Sequence, residues 1–131
     1  THVSGTIAAT SNNAIGVAGI AFQSKIMPLR ALGVGGGLSS DIIEAMLYAA
    51  GLDNDSGTTP NQRADILNMS LGGSSFSQAE QDVVERVRSA GVVIVAASGN
   101  ENPTTAQPLI WQLQGATSPR ISTTTAMATV C

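Results

Sequence analysis

The sequence predicts an α/β fold in which helices cover both faces of a parallel sheet, and two observations support this. Segments with helical spacing of apolar residues alternate along the chain with short apolar strands, a pattern that builds repeated β-α units. The apolar run Val92–Ala97 is continuous and rich in β-branched residues, which is typical of a strand buried on both faces of a parallel sheet.

The elements are expected in the order helix 1–10, strand 25–32, helix 39–50, strand 64–71, helix 77–90 and strand 92–97. Pro28 weakens the first strand because its ring removes one ladder donor. The polar stretch 53–63 is typical of an exposed loop. The second helix has the candidate N-caps Ser39, Ser40 and Asp41 and is expected to end at Gly51. The third helix is expected to begin at the capping box formed by Ser77 and Glu80 and to end at Gly91. Its inward-facing residues are expected to be Ala79, Val83, Val84 and Val87.

Composition excludes several classes of function. The chain has 131 residues, of which 43% are hydrophobic and 11% charged, and its net charge is −3. No basic cluster could neutralise a phosphate backbone, so we expect no nucleic-acid partner. The longest apolar run is far shorter than the roughly 20 residues of a membrane helix. The single cysteine, Cys131, rules out an internal disulfide.

Three short loop segments rich in small residues, called breaks below because they end the strand pattern, each follow a predicted strand: Gly35–Gly37, Ser70–Gly72 and Ala97–Asn100. Ligands gather at the carboxyl ends of parallel strands, because loops and helix N-termini converge there. The three breaks are therefore expected to line one cleft.

The first break also lies where a dinucleotide-binding βαβ unit would hold phosphates. A Gly-x-Gly-x-x-Gly motif that starts at Gly33 would need glycine at position 38, which is Leu38, and one that starts at Gly35 would need glycine at position 40, which is Ser40. The motif is therefore absent.

Three ordered blocks resemble the subtilisin-like serine proteases (subtilases). They are Thr1–Ala9 (THVSGTIAA), Asn68–Gly73 (NMSLGG) and Gly91–Asn100 (GVVIVAASGN). The resemblance covers residues 1 to about 102 and implies a secreted, extracellular serine endopeptidase that acts on polypeptides. A non-catalytic, subtilase-like binding module is the alternative.

The resemblance also implies roles for individual residues. Asn100 would donate its amide to the oxyanion of an acyl-transfer transition state, since an amide donates without changing its protonation. The extended substrate would lie between two backbone edges, one formed by Gly35, Gly36 and Gly37 and the other by Ser70, Leu71 and Gly72. Leu71 together with Ala97, Ser98 and Gly99 would shape the side-chain pockets.

The same resemblance implies that the catalytic Asp, His and Ser lie outside this chain. The family's histidine block reads His-Gly-Thr-His-Val, and residue 1 corresponds to its third letter. His2 would then be the second histidine of that block, a helix residue packed behind the site, and not the general base. We expect the isolated chain to be inactive.

The loop 11–17 resembles the family's calcium loop, although it is one residue longer than the usual pattern. By position, Asn13 would contribute its side-chain oxygen, and Ile15 and Val17 their carbonyl oxygens. Calcium accepts neutral oxygens of this kind. The resemblance therefore implies a structural calcium ion in the full-length parent.

Residues 103–131 form an atypical tail in which the resemblance stops. After Glu101 the chain has no acidic residue and seven threonines, and we expect no strand there. One hypothesis is translation out of frame, because threonine codons shifted by one base can encode asparagine. The alternative is a divergent, disordered C-terminal extension.

Overall fold

Three helices and four strands alternate in a computed structural model, which describes residues 2–72, 77–97 and 126–130. The α/β prediction is confirmed, although most elements are a few residues shorter than expected. Their bounds are α1 His2–Ala8, β1 Lys25–Leu29, α2 Ser39–Ala49, β2 Ile66–Met69, α3 Gln78–Ser89, β3 Val93–Ala96 and β4 Ala126–Val130.

The four strands form one parallel sheet in the order β1-β4-β2-β3. Leu67 lies opposite Ile94 of β3 and opposite Ala128 of β4, which in turn lies opposite Met27 of β1. Residues in register point to the same face of a parallel sheet, and their chain neighbours point to the other. The register therefore assigns every strand residue to one of two faces.

The first face of the sheet is covered by α2 and α3, which pack against each other. Leu67 and Ala128 are fully buried on it, beneath Met46 of α2 and Val84 and Val87 of α3. Met27, Leu29, Ile94 and Ala96 pack against the same cluster. The hydrophobic core of the described residues therefore lies between this face and the two helices.

The ends of α2 and α3 confirm some of the predicted caps and correct others. The Ser77 hydroxyl accepts a hydrogen bond from the Glu80 backbone N–H at 3.4 Å, as a capping serine should. Gly51 and Gly91 have φ values of 68° and 84°, so both follow their helices in the left-handed conformation.

The predicted serine and aspartate caps of α2 are wrong: Leu38 holds the cap position and makes no side-chain cap hydrogen bond. Ala79 is exposed, and Glu80 is buried in its place. The pattern of apolar residues in the sequence could not reveal that the charged Glu80 lies on the buried side of α3.

The third strand is not buried on both faces, so that prediction is wrong. Val95 is 50% exposed, although it belongs to a continuous apolar run. In the described sheet β3 pairs with β2 alone, and an edge strand has fewer neighbours to cover its side chains. β1 is the opposite edge, where Pro28 is tolerated because a missing N–H can face away from the sheet.

The expectation that the tail contains no strand is also wrong, because β4 lies in the middle of the sheet. Asp65 fixes its first residue: the Asp65 backbone N–H donates to the Ala126 carbonyl at 2.7 Å, and the Asp65 carboxylate accepts from the Ala126 N–H at 2.8 Å. The Asp65 carbonyl also accepts from Val93 of β3 at 2.9 Å. One residue thus ties together the starts of three strands.

The loop after α2 is exposed, as predicted for 53–63, and is held by local hydrogen bonds. The Asn54 side-chain amide donates to the carbonyls of Leu52 and Thr58 at 2.9 and 2.8 Å. The Asp55 N–H donates to a Glu44 carboxylate oxygen at 2.6 Å, which fastens the loop to α2. Within the described ranges, no helix has the length and hydropathy needed to cross a membrane.

Candidate functional site

The candidate site lies at the carboxyl end of the sheet. Because the strands are parallel, β1, β2 and β3 all end at this edge, and each is followed by one of the predicted breaks. The structure therefore brings the described parts of those breaks to one edge of the sheet. β4 ends there too, between β1 and β2, so Val130 belongs to the same edge. Sequence analysis missed Val130 because no strand pattern marks the tail.

The break after β1 is a tight turn. The N–H of Gly33 donates to the Gly36 carbonyl at 2.7 Å, and the N–H of Gly36 donates back to the Gly33 carbonyl at 3.2 Å. Both amides are used inside the turn, so they are not free to cradle a phosphate, as the rejected nucleotide-binding interpretation would need. Val34 at the tip of the turn is fully exposed.

The glycines of this turn differ in the room around them. A Cβ built on Gly35 or Gly36 would meet nothing within 4 Å, so their backbone faces open space. Gly36 also has a φ of 99°, which favours glycine. A Cβ on Gly37 would instead collide with the Ala31 carbonyl oxygen. Gly35 and Gly36 thus leave open space beside the backbone, whereas Gly37 allows the chain to pack closely on Ala31.

The break after β2 presents a second open backbone segment. Ser70 is exposed, and its hydroxyl accepts a hydrogen bond from the Asn68 side-chain amide at 2.9 Å. Leu71 is half-buried against the core, which anchors the segment. A Cβ on Gly72 would meet nothing within 4 Å.

The break after β3 is described only at its first residue. Ala97 is exposed, and its N–H donates to the Met69 carbonyl at 3.1 Å, so the register of β3 on β2 extends to this residue. The other predicted residues of this break, Ser98, Gly99 and the oxyanion donor Asn100, lie outside the described residues.

His2 is the first residue of α1 and is exposed, so the expectation that it packs behind the site is wrong. The His2 carbonyl accepts a hydrogen bond from the Thr6 hydroxyl at 3.4 Å. Its role as a helix residue is confirmed.

The loop proposed for calcium is exposed and carries left-handed residues. Asn12 and Ala14 have φ values of 60° and 58°, an arrangement that costs free energy in residues with a Cβ. The Asn13 side-chain oxygen accepts a hydrogen bond from the Ile15 N–H at 3.1 Å. The donor set fits calcium in kind, being neutral oxygens, but three oxygens fall short of the about six to eight that the ion needs.

The described residues contain no group of three or more His, Cys, Asp or Glu side chains placed to hold a metal.

Comparison with protein-family models decides the family. The model of the subtilase family matches residues 1–129. The chain belongs to the subtilase family. Its α/β fold, its parallel sheet and the order of its sequence blocks agree with this membership, which makes a nucleotide-binding βαβ module the wrong interpretation of the glycine turn.

Individual subtilase relatives are proteases. The chain is 48% identical over 103 residues to the extracellular basic protease of Dichelobacter nodosus and 45% identical over 103 residues to the extracellular protease of Xanthomonas campestris pv. campestris. These matches cover 77% of this chain but only 17% and 18% of the relatives. Against subtilisin of Bacillus pumilus the identity is 41% over 102 residues, covering 77% of this chain and 33% of that protein.

A solved structure with the same fold also comes from a protease. The structure of proteases from Pseudoalteromonas arctica PAMC 21717 superposes with a TM-score of 0.74 at 46% identity, over 78% of this chain and 30% of that one. The chain thus spans about a third or less of the subtilases it matches.

Proposed function

We propose that this chain supplies the peptide-binding edges and the oxyanion donor of a secreted, subtilisin-like serine endopeptidase. The observation that carries the proposal is the pair of open backbone segments, Gly35–Gly36 and Ser70–Gly72, at the carboxyl end of the sheet of a subtilase. The relatives named extracellular proteases support secretion of the parent enzyme.

Open backbone suits the binding of an extended polypeptide. A substrate strand adds to exposed main chain through backbone hydrogen bonds, and its side chains enter pockets on alternate sides. Gly35 and Gly72 place no side chain in its path. Two exposed apolar residues, Val34 and Leu38, flank the first edge and offer surface to a substrate side chain.

Asn100 is proposed as the oxyanion donor. Attack on a peptide carbonyl places negative charge on its oxygen, and a fixed amide donor aimed at that oxygen stabilises the transition state more than the ground state. Support comes from Ala97, whose hydrogen bond to Met69 continues β3 towards the carboxyl edge, three residues before Asn100. The Asp, His and Ser of the triad are proposed to lie in parts of the parent outside this chain.

Calcium is proposed as a structural ion of the full-length parent, with Asn13, Ile15 and Val17 giving three neutral oxygens. The strained backbone at Asn12 and Ala14 supports this, because such conformations persist where something holds them in place. When bound, the ion would contribute only rigidity to the loop.

Kinetics of a full-length parent enzyme test the oxyanion proposal. Asn100→Ala should lower kcat by roughly 10²–10³ with KM little changed, which is the magnitude established for the oxyanion asparagine of subtilisin. Asn61→Ala is the matched control, because Asn61 is an exposed asparagine in the loop after α2. A kcat within about threefold of the parent would leave Asn100 as a turn residue.

The isolated chain tests the placement of the triad. It should hydrolyse no chromogenic peptide ester or amide above background, because acylation needs a nucleophile and a base. Turnover that is blocked by a serine-directed phosphonate would overturn that placement. If the full-length parent is also inert but binds peptides, the non-catalytic module replaces the enzyme.

A further inference from the structure

Asn68 is a polar residue in a strand that is otherwise apolar. The strand β2 reads Ile66-Leu67-Asn68-Met69, and Leu67 and Met69 belong to the hydrophobic core. Moving an amide out of water into such a strand costs free energy unless the amide finds a hydrogen-bond partner, and it adds no apolar surface to the core. The position of Asn68 therefore calls for an explanation other than packing.

The Asn68 side chain is hydrogen-bonded along its own chain and not across the sheet. Its amide donates to the Ser70 hydroxyl at 2.9 Å. Thr129 of β4 lies in register with Asn68, so the two side chains project from the same face of the sheet. The Thr129 hydroxyl is nevertheless buried without a hydrogen-bond partner among the residues that the structure describes. The Asn68 amide is thus directed to the first residue beyond the end of β2.

The residues on both sides of Ser70 are fixed by other contacts. Before it, the Met69 carbonyl accepts a hydrogen bond from the Ala97 N–H at 3.1 Å, which holds the end of β2 to the chain that continues β3. After it, Leu71 packs against the core. The hydrogen bond from Asn68 adds a restraint on Ser70 between these two. Three consecutive residues are therefore restrained by three different contacts, directly before the open backbone of Gly72.

Such restraint affects binding, because Ser70–Gly72 is one of the two edges proposed to hold an extended substrate. A peptide that adds to exposed main chain gains affinity only in excess of what the ordering of that main chain costs. An edge that is already fixed before the peptide arrives has less order to gain. Loss of one hydrogen bond that fixes the edge should weaken binding by about 2–10-fold.

We propose that Asn68 is a positioning residue for the substrate edge: by holding Ser70, it fixes the main chain of Ser70–Gly72 in the conformation that an extended polypeptide binds. This inference rests on the proposed function, and it assigns to Asn68 no contact with the substrate and no part in the chemical step. Removing the Asn68 amide should therefore raise KM and leave kcat little changed.

Asn68→Leu in a full-length parent enzyme breaks the hydrogen bond while keeping a side chain of similar size. KM for a chromogenic tetrapeptide anilide should rise about 2–10-fold, with kcat little changed. For a single-residue ester, which cannot extend along the edge, KM should change by less than about twofold. Asn61→Leu is the matched control, because it makes the same substitution at an exposed loop position and should change neither constant.

Two further variants separate positioning from a general structural effect. Asn68→Asp keeps an oxygen that can accept a hydrogen bond from the Ser70 hydroxyl, so the bond re-forms in the opposite direction and KM should return close to the parent value. Ser70→Ala removes the other partner and should raise KM as Asn68→Leu does. The double variant should show no further rise, because both substitutions delete the same hydrogen bond.

Four results would overturn this role for Asn68. Two concern Asn68→Leu itself: an unchanged KM for the tetrapeptide, or an equal rise for the tetrapeptide and the ester, which indicates a general structural effect. The others are a KM for Asn68→Asp as high as for Asn68→Leu, and additive rises in the double variant. Failure of the proposed function gives a different result: an unsubstituted parent that does not prefer the tetrapeptide to the ester would show that Ser70–Gly72 is not a substrate edge, and both proposals would fall.

Discussion

Removing the Asp65 carboxylate should loosen β4, the central strand. The carboxylate accepts a hydrogen bond from the Ala126 N–H at 2.8 Å, and Ala126 is 7% exposed, so water cannot readily replace the lost acceptor. Hydrogen bonds to charged groups contribute about 1.5–3 kcal/mol to stability. Because Asp65 is only half-buried, we expect Asp65→Ala to cost about 2 kcal/mol of unfolding free energy.

The backbone bonds of Asp65 to Ala126 and Val93 survive the substitution, so the sheet should weaken without losing its register. A chain of this size loses about 4 °C of Tm per kcal/mol, which predicts a decrease of about 8 °C. Asp65→Asn retains an acceptor oxygen and should cost about 1 kcal/mol or less.

Urea unfolding followed by far-UV circular dichroism measures the loss, and amide hydrogen exchange of residues 126–130 locates it. Asp53→Ala is the control, because it removes the same charge from an exposed loop position and should change stability by less than about 0.5 kcal/mol. If Asp65→Ala behaved like Asp53→Ala, with exchange in β4 unchanged, the carboxylate would not hold this strand.

Three further predictions concern the described fold. Gly37→Ala should lower the free energy of unfolding in urea by about 1–3 kcal/mol, because the new Cβ would collide with the Ala31 carbonyl oxygen. Gly35→Ala adds a Cβ in open space and should be nearly neutral, and equal losses for the two variants would contradict this reasoning. Thr129→Val should leave the free energy of urea unfolding unchanged or raise it by up to about 1 kcal/mol, since the buried Thr129 hydroxyl has no hydrogen-bond partner in the described structure. A clear loss of stability would mean that the hydroxyl does have a hydrogen-bond partner. The isolated chain should associate with rising concentration in analytical ultracentrifugation, because β1 and β3 are open edges of the described sheet; a monomer with a sharp cooperative melt would refute it.

Local signals in the sequence predicted the helices and three of the strands. The Ser77 cap and the left-handed Gly51 and Gly91 depend on neighbours in the chain, so the sequence alone reveals them. Burial depends on neighbours in space, which explains the errors at β3. Its apolar run is the same whether the strand is central or at an edge, so the exposure of Val95 follows only from strand order.

The site could be predicted as far as its position at the carboxyl end of the sheet, because parallel strands place their following loops together. The sequence could not show which glycines are open and which are confined. Gly35 and Gly37 look alike in the sequence, and only the approach of the Ala31 carbonyl distinguishes them. β4 escaped prediction because a five-residue segment in a threonine-rich tail carries no periodic pattern of its own.

The central position of β4 has a consequence for the order of folding. β1 pairs in the described sheet with β4 alone, and 97 positions of chain separate Leu29 from Ala126. Helices α2 and α3 and the β2–β3 pair depend on much closer contacts and can form first, since local contacts form faster. At synthesis rates of about 5–20 residues per second, β1 waits roughly 5–20 s for its partner. During that interval an unpaired strand is exposed to other nascent chains, so the yield of soluble protein should depend on fast elongation and a low concentration of nascent chains more than on final stability.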